Sequence, residues 1–227
     1  MTGTLMTRGN RERYGLLLTA IVTAFAVQGI ATPGAWGQAA VTVLLAGTLL
    51  LALWAADARP KVMRAAVLVA IVVVAFSIVE AANGNIDGAA PRLANVLLLI
   101  LAPPAIVLGV VRSLRAHHDV TVEAVFGVLC LYILLGMFFA GVYGSIDRLG
   151  HQFFANGVAA TTPHCLYFSF TTLTTVGYGD LTAASNLGHT LSVTEALLGQ
   201  IYLVTIVSLI VGNLGQRRLR DRSSSAA

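Results

Sequence analysis

The chain has 227 residues, of which 57% are hydrophobic and only 11% charged, with a formal net charge of +4 at pH 7. A soluble domain carries roughly a quarter charged residues, so this composition, with a mean hydropathy of +0.82, excludes an ordinary soluble domain and places the chain in a membrane. The basic residues stand beside apolar segments rather than on one soluble face, which argues against nucleic acid as a partner.

A helix needs about 17–25 mostly apolar residues to cross a bilayer core of roughly 30 Å. Six windows meet that length: 14–30, 38–56, 62–82, 93–111, 120–143 and 187–211. Basic residues gather in alternate joints: Arg8, Arg11 and Arg13, then Arg59, Lys61 and Arg64, then Arg112 and Arg115, and finally Arg217, Arg218, Arg220 and Arg222. Arg92 and Arg148 are left on the other side. By the positive-inside rule both termini are cytoplasmic and residues 144–186 face outward. The basic start, apolar run and small residues Gly29 and Ala31 have some features of a cleaved leader, but the segment is read as retained. Cys130 falls inside the fifth window and Cys165 in the external stretch, a spacing that suggests neither a disulfide framework nor a metal site.

Residues 1–13 read as a cytoplasmic N-terminus and 14–116 as a four-helix peripheral domain. A voltage sensor needs several arginines spaced at three along its fourth span, because each charge crossing 100 mV contributes only about 2.3 kcal/mol. Span four and its flanks read PRLANVLLLILAPPAIVLGVVRSLRAHH, with Arg92 at one end, Arg112 and Arg115 at the other, and no charge between. Glu80 is the acidic residue of spans two and three, and it lies near the outer boundary. The peripheral domain is therefore sensor-like in layout without sensing voltage. Pro103-Pro104 removes backbone donors and kinks span four, as a coupling lever or a feature of packing. His117-His118-Asp119 reads as a sensor of cytoplasmic pH or as a solvated linker, and Asp119 with Glu123 suits the positive end of helix five.

Beyond span five, residues 144–160 read as a polar turret containing Asp147 and Arg148. Thr162 then serves as an N-cap with Pro163 at the first helical position. The helix HCLYFSFTTLT that follows is too short to span, so the chain turns back on itself. Such re-entrant backbone is tolerated at membrane depth only where protein buries it or it lines water. Its end runs into TVGYG. A column of backbone carbonyls can replace a cation's hydration shell, but successive carbonyls share a direction only if some residues take left-handed dihedrals. Gly177 and Gly179 adopt those without steric cost. The carbonyls of Thr175, Val176, Gly177 and Tyr178, with the Thr175 hydroxyl, are the expected ion sites; Asp180 stands at the mouth, and the short helix aims its negative C-terminal end beneath them.

The run TTVGYGD, after a short helix and between two spans, resembles the signature of tetrameric potassium channels, matched at Thr175, Val176, Gly177, Tyr178, Gly179 and Asp180. The resemblance implies an all-α integral membrane fold of six transmembrane helices plus a re-entrant pore helix and filter loop, in a voltage-gated-channel-like layout. It further implies a homotetramer in the cell membrane, with K+ as permeant ion and no cofactor. On this pattern the pore domain is 117–214, with outer helix 120–143, pore helix 163–174, filter 175–179 and inner helix 187–211, followed by a short basic tail at 215–227. Thr174 and Tyr167 would support the filter; Tyr167 and Phe168 stand where many members carry tryptophan. Gly199 falls at the position of a gating hinge, or serves close helix packing. Leu203, Val207, Ser208 and Val211 would line the cavity and gate.

Glu195, an intramembrane carboxylate, is a functional candidate: a brace for the pore helix through its threonines, or a titrating gating group. The tail arginines 217, 218, 220 and 222 suit anionic lipid headgroups or act simply as an orientation signal. After them the sequence leaves no room for an attached ligand-binding domain. No nucleophile–base pair or ligand cluster points to an enzyme. A coupled transporter would be expected to show internal repeats, a degenerate scaffold a broken filter, and a nonselective cation channel a change at Tyr178 or Gly179.

Overall fold

The computed structural model describes residues 2–30, 35–55, 58–83, 97, 98, 100 and 122–224. The described chain is helical: α1 (Thr2–Ile30), α2 (Ala35–Ala55), α3 (Pro60–Ala82), α4 (Val122–Arg148), α5 (Thr162–Leu173) and α6 (Asn186–Ser224). Among the described residues, the stretches Arg13–Ile30, Pro60–Ala82 and Val125–Arg148 are long and apolar enough to cross a membrane, and Ala39–Ala55 is a shorter apolar helix. Span four, with Pro103, Pro104, Arg112 and Arg115, and the His117-His118-Asp119 linker lie outside the described residues apart from Leu97, Leu98 and Ile100.

Several boundaries differ from those read in the sequence. The first helix begins at Thr2 rather than 14, the outer helix runs to Arg148 rather than 143, and the inner helix runs on to Ser224, through most of the expected tail. Apolar windows mark membrane depth, whereas a helix continues until a glycine, proline or cap breaks its hydrogen-bond ladder. Residues 144–148 and 215–224 contain no proline, and Gly144 and Gly215 are carried inside the helices rather than ending them as C-caps, so hydropathy ends before the helix does.

Helices α1, α2 and α3 pack in sequence order, and α1 also lies against α4 and α5. Phe25 of α1 meets Phe170 of α5 with ring centroids 4.7 Å apart, and Leu17, Ile21, Leu45, Leu49 and Leu134 fill the shared core. Helix α1 thus reaches α5 directly. Arg13, at the start of the first apolar stretch, sits over the Trp54 ring at 4.4 Å, an arrangement that keeps a cation at the membrane boundary satisfied.

The expected polar turret is instead an ordered apolar cap. Phe153 and Phe154 are fully buried, held by an antiparallel bridge between Phe154 and Ala183. The Ala155 amide donates to the Thr182 carbonyl (2.9 Å) and the Ala184 amide to that of Phe153 (2.8 Å). Asp147 accepts from the Phe153 amide at 3.0 Å. Two adjacent phenylalanines are too short a run to register against the polar residues around them, yet Phe153 stacks on Tyr143 (4.5 Å) and both meet Phe168 edge-on (5.4–5.8 Å), closing one end of the helix cluster.

Candidate functional site

The short helix α5 is capped by Thr161, one residue earlier than the sequence suggests: its hydroxyl accepts from the His164 amide, with Pro163 in the first turn. Thr161 has extended dihedrals, as an N-cap requires, whereas Thr162 is already helical. With 12 residues at 1.5 Å each, α5 is about 18 Å long, far short of a bilayer core.

At its C-terminus the chain leaves the helix through a set of local hydrogen bonds. Amides of Thr174, Thr175 and Gly177 donate to the carbonyls of Phe170 (3.0 Å), Thr172 (2.9 Å) and Thr171 (3.1 Å), and the Thr174 hydroxyl also donates to Phe170. The following residues carry positive φ at alternate positions: Thr175 (58°), Gly177 (52°) and Gly179 (81°). Glycine accepts this without cost. A β-branched threonine does not, and local strain of that kind is characteristic of functional loops. The sequence signalled the two glycines and not the threonine.

Residues 174–180 are all exposed on the single chain. Val176 and Tyr178 are among the larger apolar side chains so presented. Tyr167 lies parallel to Tyr178, with centroids 6.1 Å apart and planes within 5°, and its hydroxyl stands in the electrostatic field of Asp180. Tyr167 therefore brings α5 against Tyr178 of the loop, a ring contact between the helix and the exposed segment.

Glu195 is fully buried. Its carboxylate accepts from the Tyr143 hydroxyl at 2.6 Å and meets the Ser169 hydroxyl, which also lies 2.7 Å from the Gly136 carbonyl oxygen. The expected contacts to the α5 threonines are corrected to Ser169, because residue 169 and not 171, 172 or 174 is on the α5 face turned to α6. Tyr143 and Ser169 were missed in the sequence; a tyrosine at the end of an apolar span and a serine in an aromatic run carry no local signal of pairing with a carboxylate.

One helical turn further on, α6 comes so close to α5 that a Cβ on Gly199 would lie 2.4 Å from the Leu173 carbonyl oxygen and 2.9 Å from its side chain. Gly199 therefore has a close-packing role here, and α6 passes through it as continuous helix. Gly136 of α4 similarly admits the Phe170 ring, 2.7 Å from where its Cβ would stand. Tyr132 donates to Leu173 O at 3.4 Å, and the Tyr202 hydroxyl donates to Val128 O. Gln200, also missed in the sequence, donates from Nε2 to the Thr175 hydroxyl at 3.1 Å. Leu203 and Ser208 are exposed; the side chains of Val207, Val211 and the tail arginines lie outside those described. Among the described residues there is no metal-ligating cluster.

Residues 127–216, from the outer helix through the loop and most of the inner helix, match a family model described as "Ion channel". Two curated relatives are similar to this chain. Protein LctB of Geobacillus stearothermophilus is 29% identical over 125 residues, covering 50% of this chain and 92% of the relative. Protein LctB of Bacillus caldotenax is 29% identical over 119 residues, covering 47% and 88%. No solved structure matches. Residues 127–216 are thus similar to an ion-channel domain, and the apolar helices suggest a multi-pass membrane protein.

Proposed function

We propose that this protein is the subunit of a potassium-selective channel in which four copies place residues 175–179 around one axis, with K+ coordinated by the carbonyls of Thr175, Val176, Gly177 and Tyr178 and by the Thr175 hydroxyl. The observation that carries this reading is the alternation of left-handed dihedrals at Thr175, Gly177 and Gly179 in a loop exposed on the single chain. Alternation turns successive carbonyls to one side, where they can stand in for water around a cation. One loop cannot surround an ion.

A second feature supports assembly. On α6, Val193, Leu197, Ile201 and Val204 are all exposed at a spacing of three to four residues, so they form one apolar stripe. A stripe of this kind is an expected surface for contact with further copies. Asp180 concentrates cations at the mouth, and the first four helices form a peripheral domain that does not sense voltage. Both termini face the cytoplasm, and the tail arginines meet the headgroups of the inner leaflet. Gly199 is the one point at which a hinge reading competes with close packing.

The test is the reversal potential of the purified protein in a planar bilayer with potassium on one side and sodium on the other. A value near the potassium limit is expected. A value near zero, with current present, would overturn the selectivity and leave a nonselective cation pore.

A further inference from the structure

The polar side chains on the exposed part of α6 behave in two ways. Thr190, Thr194 and Thr205 turn their hydroxyls back to carbonyls of α6 itself, those of Asn186, Thr190 and Ile201. This is the usual way a hydroxyl is satisfied on an apolar helix. Gln200 instead reaches across to the loop and donates to the Thr175 hydroxyl.

Its position there has a structural cause. Gly199 lets the α6 backbone abut the Leu173 carbonyl at the end of α5, and the next residue along is thereby delivered to the start of the loop, two residues beyond Leu173. A side chain at 199 would push α6 away and carry Gln200 out of reach. Gln200 also shares the exposed face of Val193, Leu197 and Val204, so a carboxamide interrupts an otherwise apolar stripe at the level of the loop's first residue.

A hydroxyl has one hydrogen and two acceptor lone pairs. The amide of Gln200 occupies one lone pair of Thr175 Oγ and so fixes the direction of the other. It also ties down the side chain of a threonine whose backbone sits in the left-handed region. A cation site that uses this hydroxyl depends on that lone pair being held where the ion arrives, since orientation set beforehand is not lost on binding.

We propose that Gln200 is a positioning residue for the innermost ion site: its side-chain amide orients the Thr175 hydroxyl toward the cation and thereby sets how strongly that site holds an ion. This rests on the reading of 175–179 as a potassium filter. It adds a residue outside the filter, on the inner helix, that determines the affinity of one end of it.

The experiment uses the full chain in a planar bilayer, with Ba2+ added from the cytoplasmic side as probe. Ba2+ has nearly the radius of K+ and twice its charge, so it dwells at a site built for K+ and reports its affinity as block. Gln200→Met keeps the length and shape of the side chain and removes the donor. The expected result is a Ba2+ block weakened about tenfold, equivalent to about 1.4 kcal/mol, with the potassium reversal potential and the melting temperature of the purified protein retained. Gln200→Leu gives the same shift and serves as the second variant should the first fail to fold. Unchanged Ba2+ affinity in a potassium-selective Gln200→Met channel overturns the role of Gln200 alone. A wild-type protein that conducts without preferring potassium overturns the filter reading, and this inference with it.

Discussion

Glu195 offers the sharpest test of how the loop is supported. Its two oxygens meet two hydroxyls, Tyr143 at 2.6 Å and Ser169, and the Ser169 oxygen also lies 2.7 Å from the Gly136 carbonyl. A serine has one hydrogen, so Ser169 cannot donate to both acceptors at once. A glutamine at 195 satisfies all three contacts together: its oxygen accepts from Tyr143, its amide donates to Ser169, and Ser169 donates to Gly136. Glu195→Gln is therefore expected to cost less than about 1 kcal/mol. Glu195→Ala leaves the buried Tyr143 hydroxyl without this acceptor, at about 1–3 kcal/mol, and opens a cavity where one methylene and one carboxyl group stood, for a total of roughly 2–5 kcal/mol. At about 2–4 °C per kcal/mol for a chain of this size, the alanine variant should melt roughly 5–20 °C lower and the glutamine variant within about 4 °C of wild type. The assay is thermal unfolding of the purified protein in micelles, followed by tyrosine and tryptophan fluorescence. Equal losses in the two variants would refute the reasoning, because the charge itself and not the hydrogen-bond pattern would then hold the node; no loss in either would mean that the node contributes nothing.

Gly199→Ala places a methyl 2.4 Å from a backbone oxygen, an overpacking that typically costs about 1–3 kcal/mol; a lowered melting temperature is expected, whereas altered open probability at full stability would favour the hinge. Gly136→Ala presses on the Phe170 ring at 2.7 Å, so it should destabilise alone and be largely relieved when combined with Phe170→Leu, as a double-mutant cycle on melting temperature would read. Tyr167→Phe keeps the ring on Tyr178 and removes the hydroxyl that faces the charge of Asp180; faster decay of potassium current during sustained opening is expected in bilayer recordings, and an unchanged decay would argue against a role for that hydroxyl. Because residues 93–111 carry no charge, the proposed channel should show a conductance that changes less than about twofold across roughly 200 mV, where several moving charges would give a steep curve.

What was legible in the sequence follows from range. The loop glycines, the short capped helix and the apolar windows are local signals, carried by a few adjacent residues whose dihedrals or hydropathy have a single reading. The partners of Glu195 are not local: Tyr143 is 52 residues away and Ser169 26, and no pattern within either helix ties them together. Gln200 was passed over because a lone amide on an apolar helix looks like any solvated side chain until Thr175 is placed beside it. Phe153 and Phe154 were masked by polar neighbours, and the ends of α4 and α6 by the assumption that helices stop where hydrophobicity does.

The contacts between α5 and α6 form a single device rather than separate features. Glu195 and Gly199 are four residues apart on α6, and Ser169 and Leu173 are four apart on α5, so Glu195 meets Ser169 and Gly199 meets Leu173 along matching faces. Helix α4 runs the opposite way along the same seam, presenting Tyr143 to Glu195, Gly136 to Ser169 and Phe170, and Tyr132 to Leu173. The end of α5 is thus fixed from two sides at three levels, and the loop begins where that fixing ends. Since α1 presses Phe25 on Phe170, and Phe170 in turn fills the notch at Gly136, one aromatic ring joins the first helix to the helix whose end begins the loop.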